Sequence, residues 1–335
     1  MPNTGSSSRS TAPWVAASRR VILIVSHRGD DHAGAVLVHL ARAGAEVLLL
    51  DTARFPRELR LTIGHRNGAP GTLTALVDGV RHDLTAVRAV WWRRPQPLEL
   101  DAAITDPDDR SFAYGECHAA ISGLWPCLDA RWMNDPDRDE RAARKAWQLK
   151  VAAGLGLRIP RTLITNEPVH AAEFIEQEGP AGVIYKAFSA TERAWRETRL
   201  LRPDEREHLN AVRYAPVIFQ EHVKVRADLR VTMVGERIFA AEIVGAPGGY
   251  DVDYRMAMHE AAIRPHTLPE PVADQLNRLM QALGLEYGAI DLRLSEEGEY
   301  VFLEVNPAGQ WLFIEQRTEQ PITAAVADRL LALRG

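Results

Sequence analysis

The sequence predicts a mixed α/β protein whose two or three subdomains share one cleft. Its 335 residues exceed the length at which a single hydrophobic core usually stops growing. Short β-branched runs alternate with segments of helical periodicity, first as a strand at 21–26 and a helix at 31–43. The order of these patterns predicts a small α/β domain in the first hundred residues and a second α+β block after it.

Composition limits the classes of protein to be considered. Hydrophobic residues make up 46% and charged residues 25% of the chain, and no apolar run approaches the roughly 18 residues that span a bilayer, so no membrane partner is expected. The formal net charge of -5 disfavours a protein that coats nucleic acid, since such proteins present a basic surface to phosphates. Two cysteines cannot form a disulfide framework, which favours a cytoplasmic location.

The N-terminal residues 1–20 are rich in Ser, Ala and Arg. Their one apolar stretch, 13–17, is too short for the core of a signal peptide. We therefore expect a disordered tail.

A second unit begins after a turn signal at 134–136. A helix is expected at 138–153, because alanines and a leucine recur there at helical spacing. The segment 188–214 is charged and lacks a strong pattern. It is interpreted as a mobile lid or recognition element.

The most informative stretch is a predicted hairpin near the C-terminus. Side chains alternate between the faces of a strand, and a tight turn then places Asp291 across from Glu304 and Leu292 across from Leu303. Asn306 shares the face of Glu304. Carboxylate and amide oxygens are ligands that magnesium accepts beside nucleotide phosphates, so one face predicts a metal site. The alternative is a half-exposed hairpin with a solvated polar face.

Nucleotide-binding loops of the G-x-x-x-x-G-K-[ST] and G-x-G-x-x-G types are missing from the sequence. A nucleotide would then need cations for its phosphates, and Lys145 and Lys186 are candidates. Each could equally be a surface lysine.

Two further segments could contact a nucleotide. The apolar strand at 217–223 could supply main-chain partners for adenine, although such a run is more often a plain core strand. Asp228 and Arg230 project from the same side of the next strand, where Arg230 could grip a phosphate and Asp228 a ribose hydroxyl or substrate ammonium. The alternative for this pair is a cross-strand ion pair.

Taken in order, these residues resemble a known family. The two lysines, QEHV at 220–223, DLR at 228–230, AIDLR at 289–293 and EVNP at 304–307 are similar to the ATP-grasp fold. More narrowly, the following three stretches resemble the maturases of microviridin-type peptides, the graspetides: WWRRP at 91–95, KAWQLKVAAGLGLRIPRTLIT at 145–165 and EVNPAGQWLFIE at 304–315. The similarity runs from about residue 20 to the C-terminus.

The resemblance implies a domain organisation. A pre-ATP-grasp domain is expected at 21–130, a central subdomain at 131–214 and a C-terminal grasp subdomain at 215–335 that closes on ATP. The segment 188–214 would be a lid or a leader-recognition element.

The resemblance also implies roles for named residues. These are Lys145 and Lys186 for the phosphates, Gln220, Glu221 and Val223 for the adenine hinge, Asp228 and Arg230 for further nucleotide contacts, Asp291, Glu304 and Asn306 for magnesium, and Arg230, Arg293 and Lys186 for catalysis. One departure matters, since many ATP-grasp ligases have a glycine-rich loop after the second lysine. Here Ser189 and Thr191 would have to serve in its place.

The implied activity is an ATP- and magnesium-dependent macrocyclisation. An Asp or Glu side chain of a ribosomal precursor peptide, made of leader and core, would be phosphorylated and then attacked by Ser, Thr or Lys of the same peptide. The product would be an ω-ester or ω-amide ring. Relatives suggest a homodimer, and the pair Arg93 and Arg94 is expected either to contact the acyl phosphate or to lie at a subunit interface.

Two rival functions stay open. One is a glutamate-ligase-type ATP-grasp enzyme that adds amino acids to a peptide or protein C-terminus, which the WWRRP and EVNPAGQW stretches disfavour. The other is a non-catalytic nucleotide-binding scaffold, which an intact metal triad disfavours.

Overall fold

A computed structural model describes residues 20–179, 182–188, 198–245 and 261–335. Apart from residue 20, the predicted N-terminal tail lies outside these ranges. The strands are β1 Val21–Val25, β2 Glu46–Leu50, β3 Arg60–Arg66, β4 Ala69–Val77, β5 Val80–Asp83, β6 Val87–Trp92, β7 Arg131–Met133, β8 Thr162–Thr165, β9 Val183–Lys186, β10 Arg199–Leu200, β11 Val217–Glu221, β12 Val225–Val234, β13 Arg237–Val244, β14 Ala262–His266, β15 Tyr287–Ser295 and β16 Tyr300–Asn306. The α-helices are α1 Asp31–Arg42, α2 Pro107–Leu124, α3 Pro136–Ala142, α4 Lys145–Gly154, α5 Pro168–Glu178, α6 Glu270–Leu283, α7 Leu312–Thr318 and α8 Ile322–Arg334.

The N-terminal sheet is parallel, in the order β2-β1-β6-β7. β1 is buried along its whole length because both faces of the sheet are covered. Ile22 and Ile24 face a core that includes α1 and α8, whereas Leu23 and Val25 face a core that includes α2. Helix α8 therefore packs on the N-terminal sheet, so that elements from the beginning and the end of the sequence share one core.

A three-stranded antiparallel sheet, β3-β4-β5, accompanies the parallel one. β3 and β4 form an antiparallel hairpin. The short strand β5 pairs with β4.

The helix predicted at 138–153 is wrong as a single element, because the structure has α3 and α4 there. Asp135 caps α3 by accepting hydrogen bonds from two main-chain N–H groups. Arg144 then adopts extended backbone angles and separates the two helices. Lys145 consequently lies in the first turn of a new helix.

The central sheet has the order β10-β9-β11-β8, and α5 packs on β8. A small core of its own includes Phe174, Val183 and Phe219. The C-terminal sheet is antiparallel, in the order β14-β13-β12-β15-β16. One of its faces packs against α4 and α6.

The predicted pairing of Asp291 with Glu304 is confirmed. The predicted pairing of Leu292 with Leu303 is wrong, since a bulge after Asp291 pairs Leu292 with Phe302. The bulge buries the Phe302 ring completely, whereas Leu303 stays partly exposed. Burial of the larger aromatic side chain removes more apolar surface from water, which accounts for this register.

Candidate active site

Three strands of the C-terminal sheet and the start of α4 bring four charged residues together. Arg230 of β12 lies opposite Asp291 of β15, which lies opposite Glu304 of β16. Nη1 of Arg230 donates to Oδ1 of Asp291 at 2.8 Å. Nζ of Lys145, in the first turn of α4, contacts the Glu304 carboxylate. The structure thus assembles two carboxylates and two cations from distant parts of the chain.

Asn306 extends this row by two residues along β16. It is exposed, and its Oδ1 accepts a hydrogen bond from the main-chain N–H of Ala308 at 3.0 Å. That bond orders the turn that follows the strand.

Asp228 and Arg293 form a second, buried ion pair beside the first. Nε of Arg293 donates to Oδ1 of Asp228 at 2.9 Å, and Nη1 of Arg293 donates to the carbonyl of Val223 at 3.2 Å. The cross-strand ion pair that was the alternative for these two residues therefore exists for both, because Asp228 pairs with Arg293 and Arg230 pairs with Asp291. Arg293 ties the 221–223 segment to the C-terminal sheet.

The residues expected at an adenine hinge and one phosphate lysine lie at the central sheet. Lys186 ends β9 opposite Ile218 of β11. Gln220 is buried, and its Nε2 donates to Oγ1 of Thr162 at 2.9 Å. The amide nitrogen of Gln220 is thus bonded within the protein.

Glu221 is also engaged by protein groups. Its carboxylate accepts from Nη2 of Arg158 at 2.8 Å and from the main-chain N–H of Arg161 at 2.9 Å. Burial raises the pKa of Glu221, but the hydrogen bonds from Arg158 and Arg161 outweigh it and the pKa is lowered. Contacts with adenine would then fall to the main chain of this segment.

Arg93 is fully buried and pairs with Asp30 at 3.1 Å. Its burial disfavours a place for this residue at a subunit interface, and the contact of Arg93 and Arg94 with an acyl phosphate stays a prediction. Nη1 of Arg93 donates to the carbonyls of Ala308 and Gly309 at 2.5 and 3.1 Å, and the guanidinium lies 5.2 Å from the ring centroid of Trp311. Arg93 therefore joins the N-terminal sheet to the loop that follows Asn306.

The same loop is held from the other side. Nη2 of Arg230 donates to the carbonyl of Gln310 at 3.1 Å, and the Tyr287 hydroxyl donates to that of Gly309 at 2.8 Å. Burial raises the pKa of Tyr287 to about 12, so its hydroxyl stays a donor. The loop is thereby fixed relative to Arg230 and Asp291.

The charges beside Arg93 are set by burial and by the arginine. Burial raises the pKa of Asp30, yet Arg93 and the Ser26 hydroxyl lower it by more. Burial and then Arg93 lower the pKa of His32 to about 4. At neutral pH the cluster therefore consists of a carboxylate, a guanidinium and a neutral imidazole.

The donor set of the predicted metal site suits a hard cation. Within the described ranges, no three His, Cys, Asp or Glu side chains are grouped to hold a metal ion. Asp291, Glu304 and Asn306 offer two carboxylates and one amide oxygen on one face, so phosphate oxygens of a nucleotide would complete the coordination of magnesium. Ser189 and Thr191, the expected lid residues, lie outside the described residues.

Sequence reasoning missed Arg93, Asn134 and Gln148 as supports of this site. Asn134 is buried. Its Nδ2 donates hydrogen bonds to the carbonyls of Tyr287 and Pro307, and its Oδ1 accepts from the main-chain N–H groups of Glu286 and Tyr287. The turn signal at 134–136 marked the position of Asn134 but not its partners.

No helix in the described part of the chain is long and apolar enough to cross a bilayer.

Comparison with known proteins was made at the level of family and of structure. The family described as the MvdD pre-ATP grasp domain matches residues 21–140. Macrocyclase MdnB from Microcystis aeruginosa MRC is 32% identical with a TM-score of 0.79, covering 93% of this chain and 99% of MdnB.

Two further solved structures contain ligands. A RiPP-associated ATP-grasp ligase of Chryseobacterium gregarium, in complex with ADP and a leader and core peptide, is 26% identical with a TM-score of 0.85, covering 93% of this chain and 97% of that one. The ATP-grasp ligase PsnB, in complex with a phosphomimetic variant of a minimal precursor, Mg and ADP, is 25% identical with a TM-score of 0.75, covering 94% of this chain and 99% of PsnB.

The curated relatives include other synthases and ligases. N-acetylaspartylglutamate synthase A of Homo sapiens is 23% identical over 217 residues, which are 62% of this chain and 54% of the relative. The chain spans about half the length of curated relatives such as this one.

The predicted ATP-grasp fold, with a pre-ATP-grasp domain at its N-terminus, is confirmed by these matches. The similarity to MdnB extends over nearly the whole of both chains at an identity above 30%. The chain therefore belongs to the ATP-grasp ligase family of ribosomal-peptide macrocyclases.

Proposed function

We propose that this chain phosphorylates Asp or Glu side chains of a ribosomal precursor peptide and closes ω-ester or ω-amide rings with Ser, Thr or Lys of the same peptide. The observation that carries the proposal is the single face on which Arg230, Asp291, Glu304 and Lys145 meet. Two carboxylates beside two cations form a site that can hold both a divalent ion and a triphosphate.

The chemistry requires activation, because a carboxylate oxygen is a poor leaving group at neutral pH. The peptide carboxylate attacks the γ-phosphorus of ATP, ADP leaves, and an acyl phosphate forms on the peptide. A hydroxyl or amine of the same peptide then attacks the acyl carbon, inorganic phosphate leaves with the bonding pair, and the nucleophile releases its proton. Each ring thus consumes one ATP and removes the elements of one water molecule from the peptide.

Charge stabilisation would come from groups at this face and from Lys186 of the central sheet. Asp291, Glu304 and Asn306 would hold magnesium, which when bound neutralises charge on the phosphates. Lys145 and Lys186 would contact the phosphates as point charges. Arg230 and Arg293, both buried, would spread the negative charge that develops on the transferred phosphoryl group.

Holding both reacting side chains of one peptide in a closed site makes ring closure effectively unimolecular. Such positioning contributes up to roughly 7 to 11 kcal/mol. Water has to be excluded, since it would hydrolyse the acyl phosphate. A site that closes over the peptide meets both needs.

The segment 188–214 is proposed to bind the precursor leader. Its described part includes β10 and a 3₁₀ segment, Asp204–Tyr214. Between this segment and the central sheet lies a cavity of about 380 Å³ whose lining includes Tyr185, Leu201, Leu209 and Phe219. An apolar cavity of this size suits large apolar side chains of a leader peptide.

Mass spectrometry after co-expression with a candidate precursor from a neighbouring gene tests the proposed function. The expected product has lost one water for each ring and is no longer cleaved by proteases within the ring. Glu304→Gln and Asn306→Ala should lower ring formation by at least about 100-fold while leaving the circular dichroism spectrum unchanged. Glu296→Gln, at the exposed tip of the β15–β16 hairpin, is the matched control. Near wild-type turnover in both site variants would refute the metal assignment.

The curated relatives favour one second candidate, a ligase that adds amino acids such as glutamate to a peptide or protein C-terminus. The same mass measurement separates the two activities. Ring closure lowers the peptide mass, whereas ligation of a free amino acid raises it by the mass of a residue.

A further inference from the structure

Gln148 is a buried polar residue of α4 with 2% of its surface exposed. Its Nε2 donates to the carbonyl of Val305 at 2.8 Å and to that of Ala142 at 2.6 Å. Its Oε1 accepts from the main-chain N–H of Val305 at 3.0 Å. One side-chain amide thus satisfies both main-chain groups of a single residue in β16.

The position of Val305 gives these bonds their significance. β16 is an edge strand, and Glu304 and Asn306 on either side of Val305 pair with Asp291 and Ala289 of β15. In an antiparallel pair, main-chain groups point alternately toward and away from the neighbouring strand. Val305 therefore presents its N–H and C=O to the open edge, and Gln148 covers them as a further strand would.

The same helix also reaches the side chain of the preceding residue. Lys145 precedes Gln148 by three positions, which places both on one face of α4, and its ammonium contacts the Glu304 carboxylate. α4 therefore holds β16 at two successive residues, once through a side chain and once through the main chain.

We infer that Gln148 is a positioning residue that sets the spacing and direction of Glu304 and Asn306 for a divalent cation and the phosphates of a nucleotide. The inference rests on the proposed function, which places magnesium at these residues. Glutamine suits the task because its planar amide carries a donor and an acceptor side by side. Glutamate lacks the donor when ionised, and methionine of similar length lacks both groups.

The test compares nucleotide binding with and without magnesium by isothermal titration calorimetry, using full-length protein and the non-hydrolysable β,γ-imido analogue of ATP. In Gln148→Met, the magnesium concentration that gives half-maximal tightening of analogue binding should rise by roughly 10- to 100-fold, the usual effect of losing an outer-shell partner of a metal site. Affinity in excess EDTA should stay within about twofold of wild type. A purely structural role for Gln148 would weaken binding equally with and without magnesium, and that result would overturn the inference.

Gln148→Glu keeps the shape of the side chain and provides a second route if the methionine variant does not fold. At pH 8 its carboxylate would face two carbonyl oxygens, whereas near pH 6 a buried carboxyl group whose pKa is raised regains a donor by protonation. The magnesium defect relative to wild type should therefore be smaller at pH 6 than at pH 8. An equal defect at both pH values would contradict a role for the donated hydrogen bond.

Gln275→Met is the matched control, because Nε2 of Gln275 on α6 donates to the carbonyl of Gly156 at 2.8 Å in a part of the fold without site residues. It should bind the analogue as wild type does at every magnesium concentration. The experiment needs no precursor peptide, so it is distinct from the test of ring formation. Wild-type protein that binds the analogue without any response to magnesium would overturn both the inference and the proposed function, whereas a normal response in Gln148→Met would overturn the inference alone.

Discussion

Arg93 and Gly309 lie 216 positions apart in the chain, and Nη1 of Arg93 donates a hydrogen bond of 3.1 Å to the carbonyl of Gly309. The arginine directly follows β6, whereas the glycine follows the strand that carries Glu304 and Asn306. This contact between two sheets means that the N-terminal domain holds the loop after β16, together with Arg230 and Tyr287 of the C-terminal sheet. Folding of that domain and geometry of the site are thus linked through one guanidinium.

Replacement of Arg93 should destabilise the protein more than its hydrogen bonds alone suggest. Arg93→Met leaves the Asp30 carboxylate, whose side chain is 1% exposed, without its cation. Such an uncompensated buried charge costs about 3 to 5 kcal/mol of the free energy of unfolding. Urea denaturation followed by circular dichroism gives this quantity.

The double variant with Asp30→Asn identifies the cause. Removing both charges should recover part of the loss, so the double variant should be more stable than Arg93→Met. Arg94→Met, at the exposed neighbouring position, should change stability by less than about 0.5 kcal/mol. A double variant no more stable than Arg93→Met would show that the charge of Asp30 is not the cause.

Lys186→Ala should weaken binding of the ATP analogue by about 10- to 100-fold, because a charge-assisted hydrogen bond to phosphate contributes roughly 1.5 to 3 kcal/mol. Fluorescence titration with a labelled nucleotide measures the change. Lys150→Ala, on the exposed side of α4, removes an equal charge away from the proposed site. Equal affinities in the two variants would argue against a phosphate contact for Lys186.

Gly309 is expected to reject any side chain. An added Cβ would lie 2.3 Å from the Cβ of Ala289 and 2.9 Å from Nη2 of Arg230, and the first of these contacts cannot be relieved by rotation of a side chain. Gly309→Ala should therefore cost about 1 to 3 kcal/mol of stability. It should also lower ring formation, because displacement of the Arg230 guanidinium would disturb its hydrogen bond to Asp291.

Gly115→Ala is the opposite case within the same chain. Gly115 lies in the exposed middle of α2 and a Cβ there meets nothing within 4 Å among the described residues. This substitution should stabilise the protein by about 0.5 to 1 kcal/mol. Thermal unfolding of both variants compares them directly, and a stable, fully active Gly309→Ala protein would contradict the packing described for the loop.

The sequence was informative where one local rule decided the structure. The pairing of Asp291 with Glu304 follows from the two-residue period of strands and a short turn, so it could be predicted. The bulge that pairs Leu292 with Phe302 could not, because it depends on how an aromatic ring fits a core formed by other elements. The break between α3 and α4 likewise depends on Arg144, which has ordinary helix propensity.

The residues that support the site were the hardest to predict from the sequence. Arg93 and Gln148 belong to residue types that are usually exposed, and nothing in their local sequence reveals partners more than 150 positions away. Only the packing of α4 on β16 and of the N-terminal sheet on the loop after β16 gives these side chains their partners. Sequence reasoning therefore named the residues that are proposed to face the ligand but not those that hold them.

Asp139 in α3 should give the stability of the protein a specific dependence on pH. Its Oδ2 is buried and meets no hydrogen-bond donor from the described residues. Burial raises the pKa of the carboxyl group to about 6, against the opposing effect of a hydrogen bond from Asn134. Between the ordinary value near 4 and about 6, the folded state holds more protons than the unfolded state, so this group makes stability fall as pH rises through that window.

Asp139→Asn removes the charge and should stabilise the protein at pH 8 by about 1 to 3 kcal/mol, since each unit of pKa shift corresponds to about 1.4 kcal/mol. The gain should be smaller at pH 5, where the wild-type carboxyl group is largely protonated in the folded state. Asp137→Asn, an exposed position in the same helix, controls for the interaction of acidic residues with the helix N-terminus, which amounts to a few tenths of a kcal/mol. Urea denaturation at the two pH values provides the comparison, and a gain for Asp139→Asn that is equal at pH 5 and pH 8 would exclude a buried carboxylate as its origin.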